Sequence, residues 1–473
     1  MQAVNKYASA LQHKIDEIQI YIQSLKRGRH DNFQEGVRFV SNSLNAFALI
    51  RRLHQDWPAW HTYMKRSVEK DEVQVIEDLL KKAPTVADMN EALLGMHRIE
   101  KTYGLEPKDI ANGRLQGKQY DIQLFTRDCL TLVKHKIKKE DYGSAIQWFR
   151  IALQKKHNPH ENIYNEILGA PFNDSIVSTL EPMSSFIVNK GNKTINASQL
   201  EQILKSNNNT CTADLQRLLQ KLMISNNTQD LDETAPTPYD RGCRGLFPPR
   251  TKLSCRYNYT TTPFLRIAPL KMEEISVDPY IVIYHNIVSD KDIDDMHKAA
   301  VPKFFNGLAG IPKKNQTEPR EIVSRCSWVT NPLPSRERVN RRFIDMTGLD
   351  IKGNAEIQVS NYGLGGHFKP HFDYISDDQK EQPDIIELGD RVATINVYTS
   401  DVEQGGATVF PNAEVTILPQ KGNALFWFNL ESDGTPDPRS LHSVCPVIVG
   451  SRWTFTKWLR EKAQVFTRPC VRR

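Results

Sequence analysis

The sequence has no long apolar run, no close pair of cysteines and little net charge. None of its stretches approaches the roughly 18 to 20 consecutive apolar residues that a membrane-spanning helix requires. The formal net charge is only +6, and its basic residues are interspersed with acidic ones, which disfavours nucleic acid as a partner. With 39% hydrophobic and 25% charged residues, the composition is that of a globular protein. A length of 473 residues predicts two or three domains.

The seven cysteines and the N-terminal residues exclude two further features. No CxxC pair occurs, so a structural zinc finger is not expected, and an odd number of cysteines leaves at least one thiol unpaired. Residues 1–30 have no apolar signal-peptide core. Seven Asn-x-Ser/Thr sequons nevertheless favour the secretory pathway; they begin at Asn173, Asn192, Asn196, Asn208, Asn226, Asn258 and Asn315. Either a leader is missing from this sequence, or the chain stays in the cytosol.

Residues 1–115 are predicted to form an all-α domain. Apolar residues in alternating steps of four and three give a heptad seam; they are Val4, Ala8, Leu11, Ile15, Ile18, Ile22 and Leu25. The seam predicts pairing with a second helix, although an ordinary core helix is an equal alternative because the pattern is shorter than four heptads. Helical periodicity continues in residues 44–70 and 85–105, with breaks at Gly28 and Pro84.

Residues 116–225 are predicted to form a second helical domain. Residues 125–156 give two amphipathic helices, and Ala145 followed by Trp148 and Phe149 is typical of a tetratricopeptide helix pair. Pro, Asn, Asp and Thr then accumulate, which predicts a linker over residues 226–240. In residues 241–473, short strand patterns at even spacing predict a β-sandwich or barrel.

Two His-x-Asp triplets occur, and their structural contexts differ. His54 and Asp56 lie in a predicted helix, where residues i and i+2 point about 200° apart and cannot share a metal ion. His371 and Asp373 lie in a predicted strand, where residues i and i+2 project from the same face. Since about one chance match is expected in such a chain, the strand context selects His371 and Asp373 as candidate metal ligands.

The third ligand is predicted to be His442, the only histidine after residue 371. Two histidines and one carboxylate form a facial triad that suits non-haem Fe(II) and O₂ chemistry. A zinc hydrolase is the chemical alternative, because the same ligands bind Zn²⁺ with an open position. Arg452 begins the strand pattern ten residues beyond His442 and is expected to grip a carboxylate of a metal-bound keto acid. The alternative for Arg452 is a structural or surface arginine.

Several motifs together carry a family resemblance. They are "GCRG", "LSCRY", "YHNIVSD", "TGLD", "VSNYGLGGHFKPHFD", "SDVEQGGATVFP", "KGNALFWFNL", "SLHSVCPVIVGSRWTFTKWLRE" and "RPC". On these motifs, residues from about 240 to the end resemble the catalytic region of collagen prolyl 4-hydroxylase α subunits, which are iron- and 2-oxoglutarate-dependent dioxygenases. More loosely, the helical half resembles the dimerisation and peptide-binding regions of that family.

The resemblance implies a multidomain chain with an all-α N-terminal half and a C-terminal double-stranded β-helix, or jelly roll. The family's iron ligands fall on His371, Asp373 and His442, and Tyr362 and Thr408 join residue 452 in binding 2-oxoglutarate. Collagen-type members usually carry lysine at the position of Arg452. Among the tyrosines that bind peptides in the family, Tyr142 is present here.

The activity implied by the resemblance is hydroxylation of peptidyl proline at C4 in collagen-like X-Pro-Gly sequences. The reaction consumes O₂ and 2-oxoglutarate, yields succinate and CO₂, and depends on Fe(II) with L-ascorbate. An alternative is a catalytically inactive or altered-substrate relative that acts as a binding subunit. The implied partner is protein disulfide isomerase, in an α₂β₂ assembly of the endoplasmic reticulum lumen built on self-association of the N-terminal helices.

The same resemblance implies two disulfides. Cys243 is expected to pair with Cys255, and Cys445 with Cys470, as in the family. Cys129 is expected to be a free thiol. Neither the resemblance nor the spacing assigns Cys211 and Cys326.

Overall fold

The computed structural model describes residues 2–25, 32–65, 80–155, 179, 235–249, 254–307, 321–351, 356–375 and 380–468. It divides into two compact units, one comprising residues 1–100 and 104–235 and the other residues 101–103 and 236–473. Cys211, Cys470 and every sequon asparagine except Asn258 lie outside the described residues. Within those residues no helix is long and apolar enough to cross a membrane.

The first unit is helical, with one short β-hairpin. Its elements are α1 (Gln2–Leu25), α2 (Phe33–Val40), α3 (Ser43–Arg51), a π-helical turn (Arg52–Asp56), α4 (Trp57–Lys65), α5 (Val86–Tyr103), α6 (Pro107–Ala111), β1 (Arg114–Leu115), β2 (Lys118–Gln119), α7 (Thr126–Lys138) and α8 (Tyr142–Gln154). The two predicted amphipathic helices after residue 121 are therefore present as α7 and α8.

Helix α1 packs within its unit through residues outside the heptad seam. Glu17 is buried and accepts a hydrogen bond from Tyr63, and the Tyr21 ring lies 4.5 Å from Trp60 of α4. The seam residues Ile15 and Ile22 are instead 46% and 52% exposed. The described part of the seam is thus not the face that α1 buries. The side chains of Val4, Ala8, Leu11 and Leu25 lie outside the described residues.

Helices α7 and α8 pack over a buried polar pair. Ala145, Trp148 and Phe149 are fully buried, as the small and aromatic pattern of α8 predicts. The Trp148 indole donates to the Glu100 carboxylate at 3.3 Å, and Lys136 Nζ lies 3.0 Å from Glu100 Oε2. The pair satisfies a charge that would otherwise be costly to bury.

The described residues of the second unit form antiparallel strands and four α-helices. Its strands are β3 (Cys255–Asn258), β4 (Leu270–Val277), β5 (Tyr280–Tyr284), β6 (Phe305–Asn306), β7 (Ile322–Val323), β8 (Arg325–Val329), β9 (Ile357–Tyr362), β10 (His367–His371), β11 (Arg391–Tyr398), β12 (Val402–Gly405), β13 (Thr408–Phe410), β14 (Val415–Ile417), β15 (Ala424–Phe428), β16 (His442–Val444), β17 (Val447–Gly450) and β18 (Arg452–Arg460). Its helices are α9 (Pro238–Cys243), α10 (Asp290–Ala300), α11 (Pro334–Thr347) and α12 (Pro383–Leu388).

The strands form two main sheets. The larger has nine strands in the order β3-β4-β5-β15-β11-β18-β9-β8-β6, and the smaller has five in the order β14-β13-β16-β10-β7. Strands β12 and β17 form a separate pair. The all-β expectation for the C-terminal region is confirmed at this level: the unit is sheet-rich and antiparallel.

Strand β11 shows how the large sheet separates its two faces. Ala393, Ile395 and Val397 belong to the hydrophobic core, which also contains residues of α10 and α11. Thr394 and Tyr398 alternate with them and therefore project from the opposite face. There the Tyr398 hydroxyl lies 2.7 Å from Thr408 Oγ1 of the small sheet. Polar groups thus occupy the face of the large sheet that is turned toward the small one.

The expected disulfides are corrected by the structure. Cys243 is bonded to Cys445 rather than to Cys255, and Cys255 is an exposed free thiol. Helix α9 packs on the small sheet, where Thr416 Oγ1 donates to Gly242 O at 2.9 Å, and this brings the Cα atoms of Cys243 and Cys445 to 5.6 Å. Cys255 instead begins β3, the edge strand of the large sheet. Two other cysteines are buried free thiols, namely Cys129, as expected, and Cys326.

Candidate metal and co-substrate site

The three candidate metal ligands converge in the second unit. His371 ends β10 and His442 begins β16, and the two are direct partners in the antiparallel register. Their rings therefore lie on the same side, with centres 4.3 Å apart. Asp373 follows β10 by two residues and lies between them, with Oδ1 3.8 Å from His371 Nε2 and Oδ2 3.6 Å from His442 Nε2. One ligand atom from each residue fits within 4.8 Å of the others.

Backbone carbonyls set the tautomers of both histidines. His371 Nδ1 lies 2.8 Å from Lys369 O, and His442 Nδ1 lies 3.0 Å from Ser440 O. A carbonyl oxygen can only accept, so each Nδ1 carries the proton and donates it. The Nε2 atoms are left unprotonated and face Asp373, which is the arrangement that metal-binding histidines require.

Burial and mutual charge set the protonation states that metal binding needs. Burial, with His442 nearby, lowers the pKa of His371 to about 3. For Asp373, burial favours the neutral acid, but His442, His371 and Arg391 outweigh it and lower its pKa. Neutral imidazole and ionised carboxylate are the forms that bind metals. His371 and Asp373 are therefore in the forms that bind a divalent cation.

Aromatic rings enclose the two imidazoles. Phe368 stacks on His371 with ring centres 3.5 Å apart and planes 14° apart. Trp427 lies edge-on to His442 at 4.8 Å, and Phe410 lies 5.7 Å from the same ring. These contacts restrict rotation of the two imidazole rings.

Arg452 is a buried cation without a carboxylate partner in the described part of the chain. It is 1% exposed. Its Nη1 donates to Gly406 O at 2.6 Å and its Nη2 to Thr408 Oγ1 at 3.0 Å, whereas its buried Nε has no hydrogen-bond partner. Burial lowers the pKa of the guanidinium against the opposing effect of nearby tyrosines. An uncompensated buried charge is costly, so the site is suited to an anion.

The residues predicted to accompany Arg452 surround it. Tyr362 is its direct register partner on β9, with the guanidinium carbon 5.6 Å from the ring centre. Thr408 accepts the Nη2 hydrogen bond. Tyr398 was not predicted from sequence, yet its ring centre lies 5.2 Å from the guanidinium carbon and its hydroxyl contacts Thr408. The signal for Tyr398 is the alternation of Thr394, Asn396 and Tyr398 opposite apolar residues in β11.

Strand β11 links the metal ligands to the anion pocket. Thr394 Oγ1 donates to Asp373 Oδ2 at 2.7 Å, and Tyr398 reaches the group around Arg452 from the same face. Four residues of strand separate the two backbone positions by about 13 Å, and both side chains point into the space between the sheets. Strand β11 thus contacts the metal ligands through Thr394 and the surroundings of Arg452 through Tyr398.

The second His-x-Asp triplet and Tyr142 lie in the first unit. Asp56 is paired with Arg51, whose Nη1 lies 2.7 Å from Asp56 Oδ1. The His54 Nδ1 lies 2.8 Å from Pro84 O. His54 and Asp56 are not part of a ligand cluster among the described residues. Tyr142, the predicted peptide-binding residue, begins α8.

Two family profiles match the chain. The profile described as the N-terminal region of the prolyl 4-hydroxylase α subunit matches residues 1–117. The profile of the 2OG-Fe(II) oxygenase superfamily matches residues 357–460, which include all three candidate ligands and Arg452. A viral collagen prolyl hydroxylase from Paramecium Bursaria Chlorella virus-1 matches with 23% identity and a TM-score of 0.30, covering 38% of this chain and 95% of that chain.

Curated relatives match along nearly the whole chain. Prolyl 4-hydroxylase subunit alpha-2 of Caenorhabditis elegans is 30% identical over 99% of this chain and 89% of the relative. Subunit alpha-2 of Gallus gallus is 30% identical over 100% of this chain and 92% of the relative. Subunit alpha-1 of Homo sapiens is 28% identical, covering 99% and 92% respectively. With this coverage, and with the ligand triad inside the matched oxygenase region, the chain belongs to the family of prolyl 4-hydroxylase α subunits.

Proposed function

We propose that this chain hydroxylates C4 of peptidyl proline in collagen-like X-Pro-Gly sequences, using O₂ and 2-oxoglutarate. One observation supports this most directly: Arg452 is a fully buried cation without a carboxylate partner among the described residues, and its hydrogen bond to Thr408 joins it to the five-stranded sheet that carries His371 and His442. A keto acid bound through both ends requires such an anion pocket, whereas hydrolysis at a zinc ion does not by itself require one.

Fe(II) is the metal that the three ligands would hold. Two imidazole nitrogens and one carboxylate oxygen leave three positions of an octahedral ion open, enough for a chelating keto acid and O₂. When bound, the iron supplies the O₂ and one-electron chemistry that couples oxidative decarboxylation to hydroxylation of a C–H bond. The chain contributes neutral, correctly oriented imidazoles through Lys369 O and Ser440 O.

The far carboxylate of 2-oxoglutarate is assigned to Arg452. The Nε proton of Arg452 has no acceptor, and Thr408 and Tyr398 present hydroxyl groups beside the guanidinium. Tyr362 covers the cation with its ring. Charge-assisted hydrogen bonds in a buried site fix the orientation of the keto acid, so that its other end is directed toward His371, Asp373 and His442.

The reaction balances without a further oxidant. One oxygen atom of O₂ enters the new hydroxyl group of proline, and the other enters succinate as 2-oxoglutarate loses CO₂. The hydrogen removed from C4 is returned in the hydroxyl. The rings of Phe368, Phe410 and Trp427 pack against the two imidazoles and hold them in place. We assign to L-ascorbate the reduction of iron that becomes oxidised in turnovers without substrate.

We also propose the finer architecture of the two units. The second unit is a double-stranded β-helix, supported by its facing antiparallel sheets. In the helical part, residues 1–115 serve dimerisation, supported by the exposed seam residues Ile15 and Ile22. Residues 116–225 form a tetratricopeptide-like peptide-binding domain that uses Tyr142. A linker over residues 226–240 precedes the catalytic domain at residues 241–473.

We further propose that the chain is a glycoprotein of the endoplasmic reticulum lumen that assembles with protein disulfide isomerase as an α₂β₂ tetramer. The density of sequons and the disulfide between Cys243 and Cys445 support an oxidising compartment.

Mass spectrometry of a (Pro-Pro-Gly) repeat peptide tests the proposed activity. With the protein, its partner subunit, Fe(II), 2-oxoglutarate and ascorbate, the peptide is expected to gain one oxygen atom per modified proline, with one succinate formed for each. His371→Ala is expected to abolish both products, because it removes a ligand. His54→Ala, in the other triplet, is the matched control and is expected to retain them. Absence of hydroxylation together with absence of succinate in the wild type would contradict the proposal.

A further inference from the structure

A hydrogen-bond chain runs from the core of the second unit to the candidate metal ligand Asp373. Asn429 Nδ2 lies 2.9 Å from Thr394 Oγ1, and Thr394 Oγ1 lies 2.7 Å from Asp373 Oδ2. Asn429 and Thr394 are fully buried, and Asp373 is 5% exposed. Water is therefore not available to replace either hydrogen bond.

Asn429 fixes which groups donate and which accept in these hydrogen bonds. Its Nδ2 has two hydrogens, and two acceptors lie within reach: Thr394 Oγ1 and, at 3.1 Å, Arg391 O. A flipped amide would place its oxygen against the Arg391 carbonyl, which cannot donate. Because Asn429 donates to Thr394, the single hydroxyl hydrogen of Thr394 is left to donate to Asp373.

The backbone holds both ends of this arrangement. Thr394 lies in the middle of β11, paired on both sides with β15 and β18. Asn429 follows β15. Its backbone N–H donates to Val392 O at 2.9 Å, and its backbone carbonyl accepts from Asp437 N at 3.0 Å. The backbone therefore holds the Asn429 side-chain amide and the Thr394 hydroxyl in place, and the hydroxyl is a pre-positioned donor to the Asp373 carboxylate.

The two oxygens of Asp373 differ as a consequence. Oδ2 accepts the Thr394 hydrogen bond, whereas Oδ1 accepts none among the described residues. We propose that Thr394, oriented by Asn429, acts as a positioning residue that keeps Asp373 a monodentate metal ligand through Oδ1. This inference rests on the proposed function, because it concerns the same iron site. Its consequence is that three coordination positions stay open instead of two.

Manganese titration of the metal-free protein tests the inference. Bound Mn(II) loses its free-ion electron paramagnetic resonance signal, so affinity is measured without catalysis. Thr394→Val keeps the shape of the side chain and removes the hydroxyl; it is expected to weaken Mn(II) binding about 10- to 100-fold. Thr394→Ser restores the donor and is expected to bind within about threefold of wild type. Asn429→Ala removes the donor that orients the Thr394 hydroxyl, and it is expected to weaken Mn(II) binding by less than Thr394→Val does.

Thr399→Val is the matched control. Thr399 follows β11 directly and is buried, but its hydroxyl contacts His297 Nε2 at 3.0 Å and not the metal ligands. The control is expected to bind Mn(II) like wild type. A purely structural role would change thermal stability and leave Mn(II) affinity unaltered.

The possible results separate the two proposals. Equal Mn(II) affinity in wild type and Thr394→Val overturns the positioning role and leaves the proposed function standing. No Mn(II) binding by the wild type overturns the metal site itself. If Thr394→Val does not fold, the Mn(II) affinity of Asn429→Ala becomes the test. An affinity equal to that of the wild type would overturn the role of the hydrogen bonds from Asn429 through Thr394 to Asp373.

Discussion

Arg452 and Thr408 are hydrogen-bonded partners that lie on different sheets. The Nη2 of Arg452, on the nine-stranded sheet, donates over 3.0 Å to Thr408 Oγ1, on the five-stranded sheet. The bond places a buried guanidinium between the sheets, in the space that the two histidine ligands also face. The position of this cation determines which substrates the site can hold.

Replacement of Arg452 is expected to weaken binding of 2-oxoglutarate. In Arg452→Gln, the apparent KM for 2-oxoglutarate is expected to rise at least about tenfold, because a charge-assisted hydrogen bond contributes roughly 1.5 to 3 kcal/mol. Arg452→Lys keeps the charge but replaces a planar fork, which donates to Gly406 O and Thr408 from separate nitrogens, with a single ammonium nitrogen, so a smaller rise is expected. Steady-state assays of succinate formation measure both.

The control for Arg452→Gln is Arg439→Gln. Arg439 is a partly exposed arginine of the same unit, paired with Asp278, Glu431 and Asp437. The Arg439→Gln substitution removes the same charge outside the pocket, so the KM for 2-oxoglutarate is expected to stay unchanged. An equal rise in both variants would show that net charge, and not the pocket, determines the affinity, and Arg452 would then lose its assigned role.

The sequence predicts the metal ligands better than it predicts the residues that hydrogen-bond to the ligands or line the anion pocket. His371 and Asp373 are recognisable from the local His-x-Asp spacing, although the predicted strand is too long: β10 ends at His371, and Asp373 lies in a bend just beyond it. Thr394, Tyr398 and Asn429 were not predicted as site residues, because their roles depend on which strands are neighbours across two sheets. The alternation in β11 marks Thr394 and Tyr398 as inward polar residues, but no local pattern names Asp373 or Thr408 as their partners.

The disulfide shows the same limit. Which cysteines pair depends on where α9 packs, and α9 packs on the five-stranded sheet, close to Cys445. Cys255 is nearer to Cys243 in sequence but begins an edge strand of the other sheet. Spacing along the chain carries no information about that choice. The helices of the first unit, in contrast, were predictable because their apolar periodicity is local.

Peptide mapping without reduction is expected to find Cys243 linked to Cys445. Iodoacetamide is expected to modify Cys255 in the folded protein, since this thiol is exposed. Cys129 and Cys326 are expected to react only after unfolding, because burial raises the pKa of Cys129 to about 12 and that of Cys326 to about 11. A peptide linking Cys243 to Cys255 would contradict the observed pairing.

Loss of the disulfide is expected to destabilise the second unit. Cys445→Ser is expected to lower the free energy of unfolding by about 2 to 5 kcal/mol, as for other native disulfides. Cys255→Ser is the matched control and is expected to leave it unchanged, because this thiol has no disulfide partner. Denaturant titration under non-reducing conditions measures both variants.

Asn258 lies in a sequon but is expected to carry no glycan. It is 4% exposed, and its Nδ2 donates to Thr261 Oγ1 at 2.7 Å and lies within 3.5 Å of Tyr284 and Met346 acceptors. A glycan on this nitrogen would prevent its burial. Asn258→Gln is therefore expected to cost about 1 to 3 kcal/mol of stability through unsatisfied buried groups.

Thr260→Ala separates the sequon from the structural role of Asn258. Thr260 is exposed, and only its backbone amide donates to Asn258 Oδ1. The substitution destroys the sequon and keeps that hydrogen bond, so mass and stability are expected to match the wild type apart from the substitution itself. Loss of one glycan from protein expressed in a secretory host would contradict this expectation.

His297 is expected to make stability depend on pH. Its ring centre lies 4.4 Å from that of Trp453, with the planes tilted by 37°, and its Nε2 lies 3.0 Å from Thr399 Oγ1. Burial lowers the pKa of His297 to about 4; Asp294 opposes this shift and Lys421 reinforces it. In the unfolded chain the same imidazole binds its proton near pH 6.5. Between these two values the unfolded state holds more protons, so the contribution of His297 is complete above pH 6.5 and is lost as pH falls toward 4.

His297→Gln tests this linkage, because glutamine can contact Thr399 but does not titrate. The difference in unfolding free energy between wild type and variant is expected to shrink as pH falls from about 6.5 to 4, with a slope no steeper than about 1.4 kcal/mol per pH unit for one proton. Urea titrations at several pH values, with the metal removed, measure it. Since other histidines titrate in both proteins, only the difference isolates His297, and a difference that is constant with pH would show that its imidazole ionises equally in the folded and unfolded states.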